Sequence, residues 1–144
     1  MRFRTAVVAV AFVGAAACSS VKTAPIYAGD TCFRCGRVIA DVKVAAEVVD
    51  QSGRAFKFRT TGCMAKYFKD HPEELAASKI FVTDAGTGRF LSAKNAIFVP
   101  AWLFEGSERQ RDFIAFAAAS EARKAADKEL SQPTDWAGVL KWAD

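Results

Sequence analysis

Cys32-Phe33-Arg34-Cys35 is closed by Gly36, and Cys63 stands 28 positions beyond Cys35, directly behind Thr60-Thr61-Gly62. This spacing constrains the fold more than any other feature of the chain. A glycine after a C-x-x-C pair permits the backbone bend that turns both thiols to one side. The third cysteine falls where a threonine can cap a helix. Between them, β-branched and alternating residues predict a hairpin. Knuckle, hairpin and helix start, in that order, bring three sulfurs to one point. A helix N-terminus favours an anion, so the Cys63 thiol is expected to be acidified.

Thiolates are soft ligands and select copper(I), zinc or iron–sulfur centres. Met64 adds a thioether next to Cys63. The candidate metal ligands are therefore Cys32, Cys35, Cys63 and Met64, with copper(I) the first choice. Zinc is the alternative, since a closed zinc site takes four ligands and Cys32, Cys35, Cys63 and His71 would supply them. That zinc would serve only to stabilise an interaction module. Another alternative is a thiol–disulfide redox protein cycling Cys32 and Cys35, although the βαβ context of such proteins is missing.

The N-terminus points to export. Arg2 and Arg4 precede the apolar run from Ala6 to Val13, and Ala15 to Ala17 are small residues suited to cleavage. The run is shorter than the roughly 20 residues a spanning helix needs. Residues 1–17 are expected to be a signal peptide. Ala15-Ala16-Ala17-Cys18 resembles the lipobox of bacterial lipoproteins, which makes Cys18 the lipidation site and gives the protein a membrane anchor. Ser19 then implies the outer membrane, so the expected place is the bacterial cell envelope, facing the periplasm. Residues 18–30 read as a lipidated tether and 31–144 as a metal-binding domain.

Removing Arg2 and Arg4 from the 20 basic residues leaves 18 against 16 acidic ones, with no cluster. That balance excludes nucleic acid as a partner. The sequence also lacks a Ser/His/Asp set or a phosphate loop, so no enzyme is expected. An odd number of mature cysteines leaves at least one thiol outside any intrachain disulfide.

Val38 to Asp50 and Ala55 to Arg59 predict the hairpin, around the turn Gln51-Ser52-Gly53. A helix follows from Thr60 or Thr61, broken at Asp70-His71-Pro72, with a second starting at Pro72. Ile80 to Thr83, Arg89 to Ser92 and Ala96 to Val99 read as strands, with Pro100 ending the last. Ser107 with Gln110 suggests a capping box for a long helix to about Leu130, with Phe113, Phe116 and Ala117 as its apolar stripe. Thr134 would cap a final helix carrying Trp136, Val139 and Leu140. The strand-strand-helix order occurs twice, and core packing is the expected role of Trp102, Trp136 and Trp142.

Cys35-Gly36-Arg37-Val38, the run from Phe56 to Met64, and Ile80-Phe81-Val82-Thr83-Asp84 resemble the NosL family, lipoproteins associated with maturation of nitrous oxide reductase. The first two blocks also resemble the small TRASH and YHS metal-binding domains, and the knuckle–hairpin–helix order resembles treble-clef sites. The resemblance implies an α+β fold of two ββα-type units, the first with a treble-clef-like cysteine knuckle. It further implies a copper(I) chaperone whose partner is a recipient copper enzyme or copper transporter. The family commonly has methionine after Cys-Gly; here Arg37 stands there, so the family's ligand set does not carry over whole.

Overall fold

A computed structural model describes residues 21–143; the expected signal peptide and Cys18 lie outside the described residues. Strands β1 (Ala46–Val49) and β2 (Ala55–Phe58) form the expected hairpin. The Asp50 carboxylate shapes its turn by accepting from the Ser52 and Arg54 N–H groups at 2.8 and 3.0 Å. The first strand begins later than Val38, because Val42–Val44 coil into a 3-10 turn capped by Asp41. Helix α1 (Thr61–Asp70) and the short α2 (Pro72–Ala77) follow, with Pro72 at the first helical position as predicted. Strands β3 (Lys79–Thr83) and β4 (Phe90–Ser92) complete an antiparallel sheet in the order β2-β1-β3-β4.

The second half departs from expectation. Strand β5 (Ile97–Glu105) runs straight through Pro100 and pairs over its whole length with β6 (Glu108–Phe116). Proline is tolerated where its missing N–H would face outward, and each strand of a two-stranded sheet has such an edge. Ser107 is therefore no helix cap. Gly106-Ser107 is a two-residue hairpin turn, with Gly106 in the left-handed region at φ +61°. The expected long helix exists only as α3 (Ala119–Glu129), and Phe113 and Phe116 lie on β6. Helix α4 (Trp136–Ala143) forms as expected, but Asp135 rather than Thr134 caps it, accepting from the Gly138 N–H at 2.9 Å.

The strand-strand-helix order does occur twice, as β1-β2-α1 and β5-β6-α3. The fold is α+β with antiparallel sheets. One core contains Ile39, Val48, Phe58, Met64, Phe68, Val82, Phe98, Phe113 and Val139; a second cluster joins α3 to the ribbon through Val99, Phe116, Ala122 and Ala126. Asp84 ties the halves together, its carboxylate accepting from the Thr87 hydroxyl at 2.7 Å and the Ala117 N–H at 3.2 Å. No helix among the described residues is long and apolar enough to cross a membrane.

Glu47 is fully buried in the central strand, where both carboxylate oxygens accept from the Ala24 N–H at 3.0 and 3.1 Å. Burial raises its pKa, against the opposing pull of the Ala24 N–H and the Lys57 charge. An acid whose folded pKa is raised supports the fold fully below its unfolded value and loses that support as pH rises through the folded value. Relative to Glu47→Gln, the thermal midpoint of the native protein should therefore fall by a few degrees as pH rises above about 4.5. Parallel midpoint curves for the two proteins would contradict this.

Candidate metal centre

The knuckle is built by backbone bonds. The Cys32 N–H donates to the Arg37 carbonyl and the Gly36 N–H to the Cys32 carbonyl, both at 2.9 Å. Gly36 takes φ +70°, a conformation that disfavours side chains. The Phe33 N–H donates to the Lys57 carbonyl at 2.8 Å, which fixes the knuckle to β2. The Phe33 ring then rests 4.6 Å from Phe56 and 5.6 Å from Tyr67, centroid to centroid.

The first turn of α1 supplies the third thiol. Thr60 is the cap, its hydroxyl accepting from the Cys63 N–H at 3.1 Å. The Asp112 carboxylate reaches across from β6 and accepts from the Gly62 N–H at 2.7 Å. Gly62 leaves room for that approach: a Cβ there would lie 2.7 Å from both Asp112 oxygens. The second ββα unit thus grips the helix turn that carries Cys63. Nothing in the sequence announces this contact across 50 positions; only Gly62, at a helix start, hints that something approaches closely.

The sulfurs of Cys32, Cys35 and Cys63 all lie within 4.8 Å of one another. Cys32 and Cys63 are buried, Cys35 is exposed, and all three are free thiols. Three thiolates around one ion at metal–sulfur bonds of about 2.3 Å would stand about 4 Å apart, so small movements complete a trigonal site. Met64 is fully buried in the core. His71, the alternative zinc ligand, is not in the cluster; it is half-exposed, stacked 4.6 Å from the Tyr67 ring and 3.7 Å from Glu73.

The Cys32 and Cys63 sulfurs approach to 3.5 Å and share a proton. The Cys63 S–H stabilises a thiolate on Cys32, and the backbone N–H groups of Cys35 and Arg59 add to this, so the Cys32 pKa is well below that of an ordinary thiol. Donation to Cys32, together with burial, pushes Cys63 up instead. The expected acidification of Cys63 is thus reversed: the helix cap is present, but the neighbouring sulfur outweighs it. The first proton of the pair leaves readily and the second is held.

Arg59 is the cation beside this cluster. Burial opposes its charge, while Glu105 and the neighbouring sulfurs of Cys35 and Cys63 favour it. It forms an ion pair with Glu105 and donates to Gln110 at 2.8 Å. Arg37 takes part in the same junction, 2.7 Å from Glu105 and 2.8 Å from Glu108. The residue standing at the family's methionine position therefore joins the knuckle to the tip of the β5–β6 hairpin. Neither arginine was legible as a site residue, because their partners lie far along the chain.

Comparison with known proteins agrees with this architecture. No curated protein sequence matches the chain significantly. Among solved structures, the crystal structure of the copper chaperone NosL from Shewanella denitrificans superposes with a TM-score of 0.68 at 16% identity, covering 82% of this chain and 95% of that one. At that identity the likeness establishes the fold. The sequence pattern of the NosL family matches residues 23–135, which takes in the knuckle, both sheets and the Asp112 contact. On that match the chain belongs to the NosL family.

Proposed function

We propose that the protein is an exported lipoprotein that carries copper(I) on Cys32, Cys35 and Cys63 and passes it to a recipient copper enzyme or transporter. The observation that carries this reading is the convergence of three free sulfurs within 4.8 Å with one of them exposed. The solved relative's description as a copper chaperone supports the choice of metal. In this reading residues 1–17 are the signal peptide, Cys18 is lipidated, and the domain faces the periplasm from the outer membrane. Met64, next to Cys63 and inside the core, is the further sulfur on offer.

The transfer step is ligand exchange. Loading displaces the protons of the cluster, because only thiolates bind. Two buried sulfurs hold the ion while the exposed Cys35 is replaced by an incoming cysteine or methionine of the recipient. One bond to copper forms as one breaks, with no change of oxidation state. Arg59 offsets the excess negative charge of three thiolates on a monovalent ion. A cycling Cys32–Cys35 disulfide is less favoured, since Cys32 already has Cys63 as its hydrogen-bonded neighbour.

Anaerobically purified protein should take up one equivalent of copper(I) in competition with a colorimetric chelator, and the ion should protect all three thiols from alkylation. Protein stripped of metal should keep its circular dichroism spectrum, because the core around Cys32 and Cys63 is packed by aromatic and aliphatic side chains. Uptake of no copper overturns the reading. Unfolding of the stripped protein would instead favour a structural zinc module.

A further inference from the structure

We propose that the outer face of the β5–β6 tip is the docking surface for the protein that exchanges copper with this chain, and that the segment it receives is acidic. The inference rests on the carrier reading and names its partner's chemistry.

The base of this ribbon is packed, with Phe98 and Phe113 in the main core and Val99 and Phe116 under α3. Toward the tip, strand pairing sets Trp102 opposite Arg111 and Phe104 opposite Arg109. Directly opposed residues, and residues two apart on one strand, share a face. All four side chains are therefore on one face, and all four residues are exposed, Phe104 at 72%. The Arg109 guanidinium lies 3.9 Å from the centre of the Trp102 ring and 5.9 Å from that of Phe104. Arg111 lies 5.3 Å from the Trp102 ring.

The two sides of the tip differ in charge. Arg37 and Arg59, on the side of the cysteine cluster, are neutralised by Glu105 and Glu108. Among the described residues neither Arg109 nor Arg111 has a carboxylate partner; each rests on aromatic rings instead. A stacked guanidinium keeps its N–H edge free for a bidentate carboxylate. Tryptophan and arginine together are also the residues that dominate binding at protein interfaces. The face is thus complementary to a segment bearing Asp or Glu.

Position ties this face to copper exchange. Glu105 sits between Phe104 and the two arginines of the cluster side, and Arg37 is two residues from the exposed Cys35. A partner anchored on Trp102 and Phe104 holds the opposite side of the same two-stranded tip, and a segment of it that reaches round the tip meets the cluster side, which turns a bimolecular ligand exchange into a local one.

The test uses the metal-free mature protein, so that it does not depend on copper. Two fluorescent peptides share a Ser-x-x-Ser centre, one flanked by Asp and Glu, the other by Lys. At low salt the acidic peptide should bind at least tenfold more tightly than the basic one. Arg109→Glu with Arg111→Glu should remove that binding by tenfold or more, and Trp102→Ala should weaken it severalfold. Lys94→Glu with Arg123→Glu makes the same charge change at exposed sites elsewhere and should leave binding within twofold. Equal losses from the two double variants would overturn the proposal, as would absence of acidic-peptide binding. Sedimentation with phosphatidylethanolamine–phosphatidylglycerol vesicles through Arg109 and Arg111, without peptide binding, would overturn it in favour of a membrane contact. Copper uptake by the same protein, measured separately, judges the carrier reading on its own.

Discussion

Replacing Cys63 by serine is expected to lower copper(I) affinity by roughly a hundredfold or more while leaving the fold in place. Substitutions behind a metal's ligands already cost about 10- to 100-fold, and Cys63 supplies one of the three cysteine sulfurs that converge among the described residues. A serine hydroxyl is a hard donor that stays protonated, so it does not replace a thiolate for a soft ion. Stability should change little. The lost contact is a weak S–H···S interaction at 3.5 Å, and the Thr60 cap uses the backbone N–H of residue 63, which serine retains. Competition with a copper(I) chelator measures the affinity and thermal unfolding of the metal-free protein measures the fold. Unchanged copper affinity would reduce the site to Cys32 and Cys35, the pair on which a redox reading would rest.

Cys63→Ala tests the proton sharing, because serine would keep a hydroxyl donor at this place. With alanine there, Cys32 loses its S–H donor, and its pKa should rise from about 5 toward the ordinary thiol value of 9.0. The rate of Cys32 alkylation against pH reports this directly. The expected order of acidity in the native protein, Cys32 below Cys63, rests on which sulfur keeps the proton. Sequence reading lowered Cys63 because a helix start is visible in Thr60-Thr61-Gly62, whereas which of two converging sulfurs keeps the proton is set by their 3.5 Å contact.

That contrast explains what else could be read in advance. The cysteine cluster was legible because knuckle, hairpin and capped helix are local patterns, and their order in the chain dictates that they meet. The β5–β6 ribbon was not. Glu108 to Asp112 is polar and the residues after Phe116 are rich in alanine, so the stretch looks like one amphipathic helix. Ser107 and Gln110 have the spacing of a helix cap, yet Gly106-Ser107 also has the form of a two-residue hairpin turn between paired strands. Strand pairing is settled by tertiary contacts. Here these are Phe98 and Phe113 in the core and α3 over Val99 and Phe116. With the ribbon misread, Trp102 was expected in the core, although it lies on the exposed face, and Asp112 could not be recognised as the clamp on the cysteine helix.

Asp112 and Gly62 should behave as one unit. Asp112→Ala removes a buried acceptor and leaves the Gly62 N–H without its 2.7 Å partner. An unsatisfied buried donor costs about 1–3 kcal/mol. Burial raises the Asp112 pKa, against the Thr60, Gly62 and Phe113 hydrogen bonds, so Asp112→Asn, which keeps an acceptor, should lose less than Asp112→Ala. Gly62→Ala in the native background forces a methyl to 2.7 Å from both carboxylate oxygens, overpacking that costs roughly 1–3 kcal/mol. In the Asp112→Ala background that clash is gone. Gly62 has no positive φ, so the methyl there should be neutral or gain about 0.4–1 kcal/mol by restricting the unfolded chain. The double variant should therefore be about as stable as Asp112→Ala alone, a coupling of 1–3 kcal/mol in a double-mutant cycle. Denaturant unfolding of the four proteins measures it. Simple additivity of the two losses would mean that the carboxylate does not press on this helix turn, and that Cys63 is held in place by the Thr60 cap and the core alone.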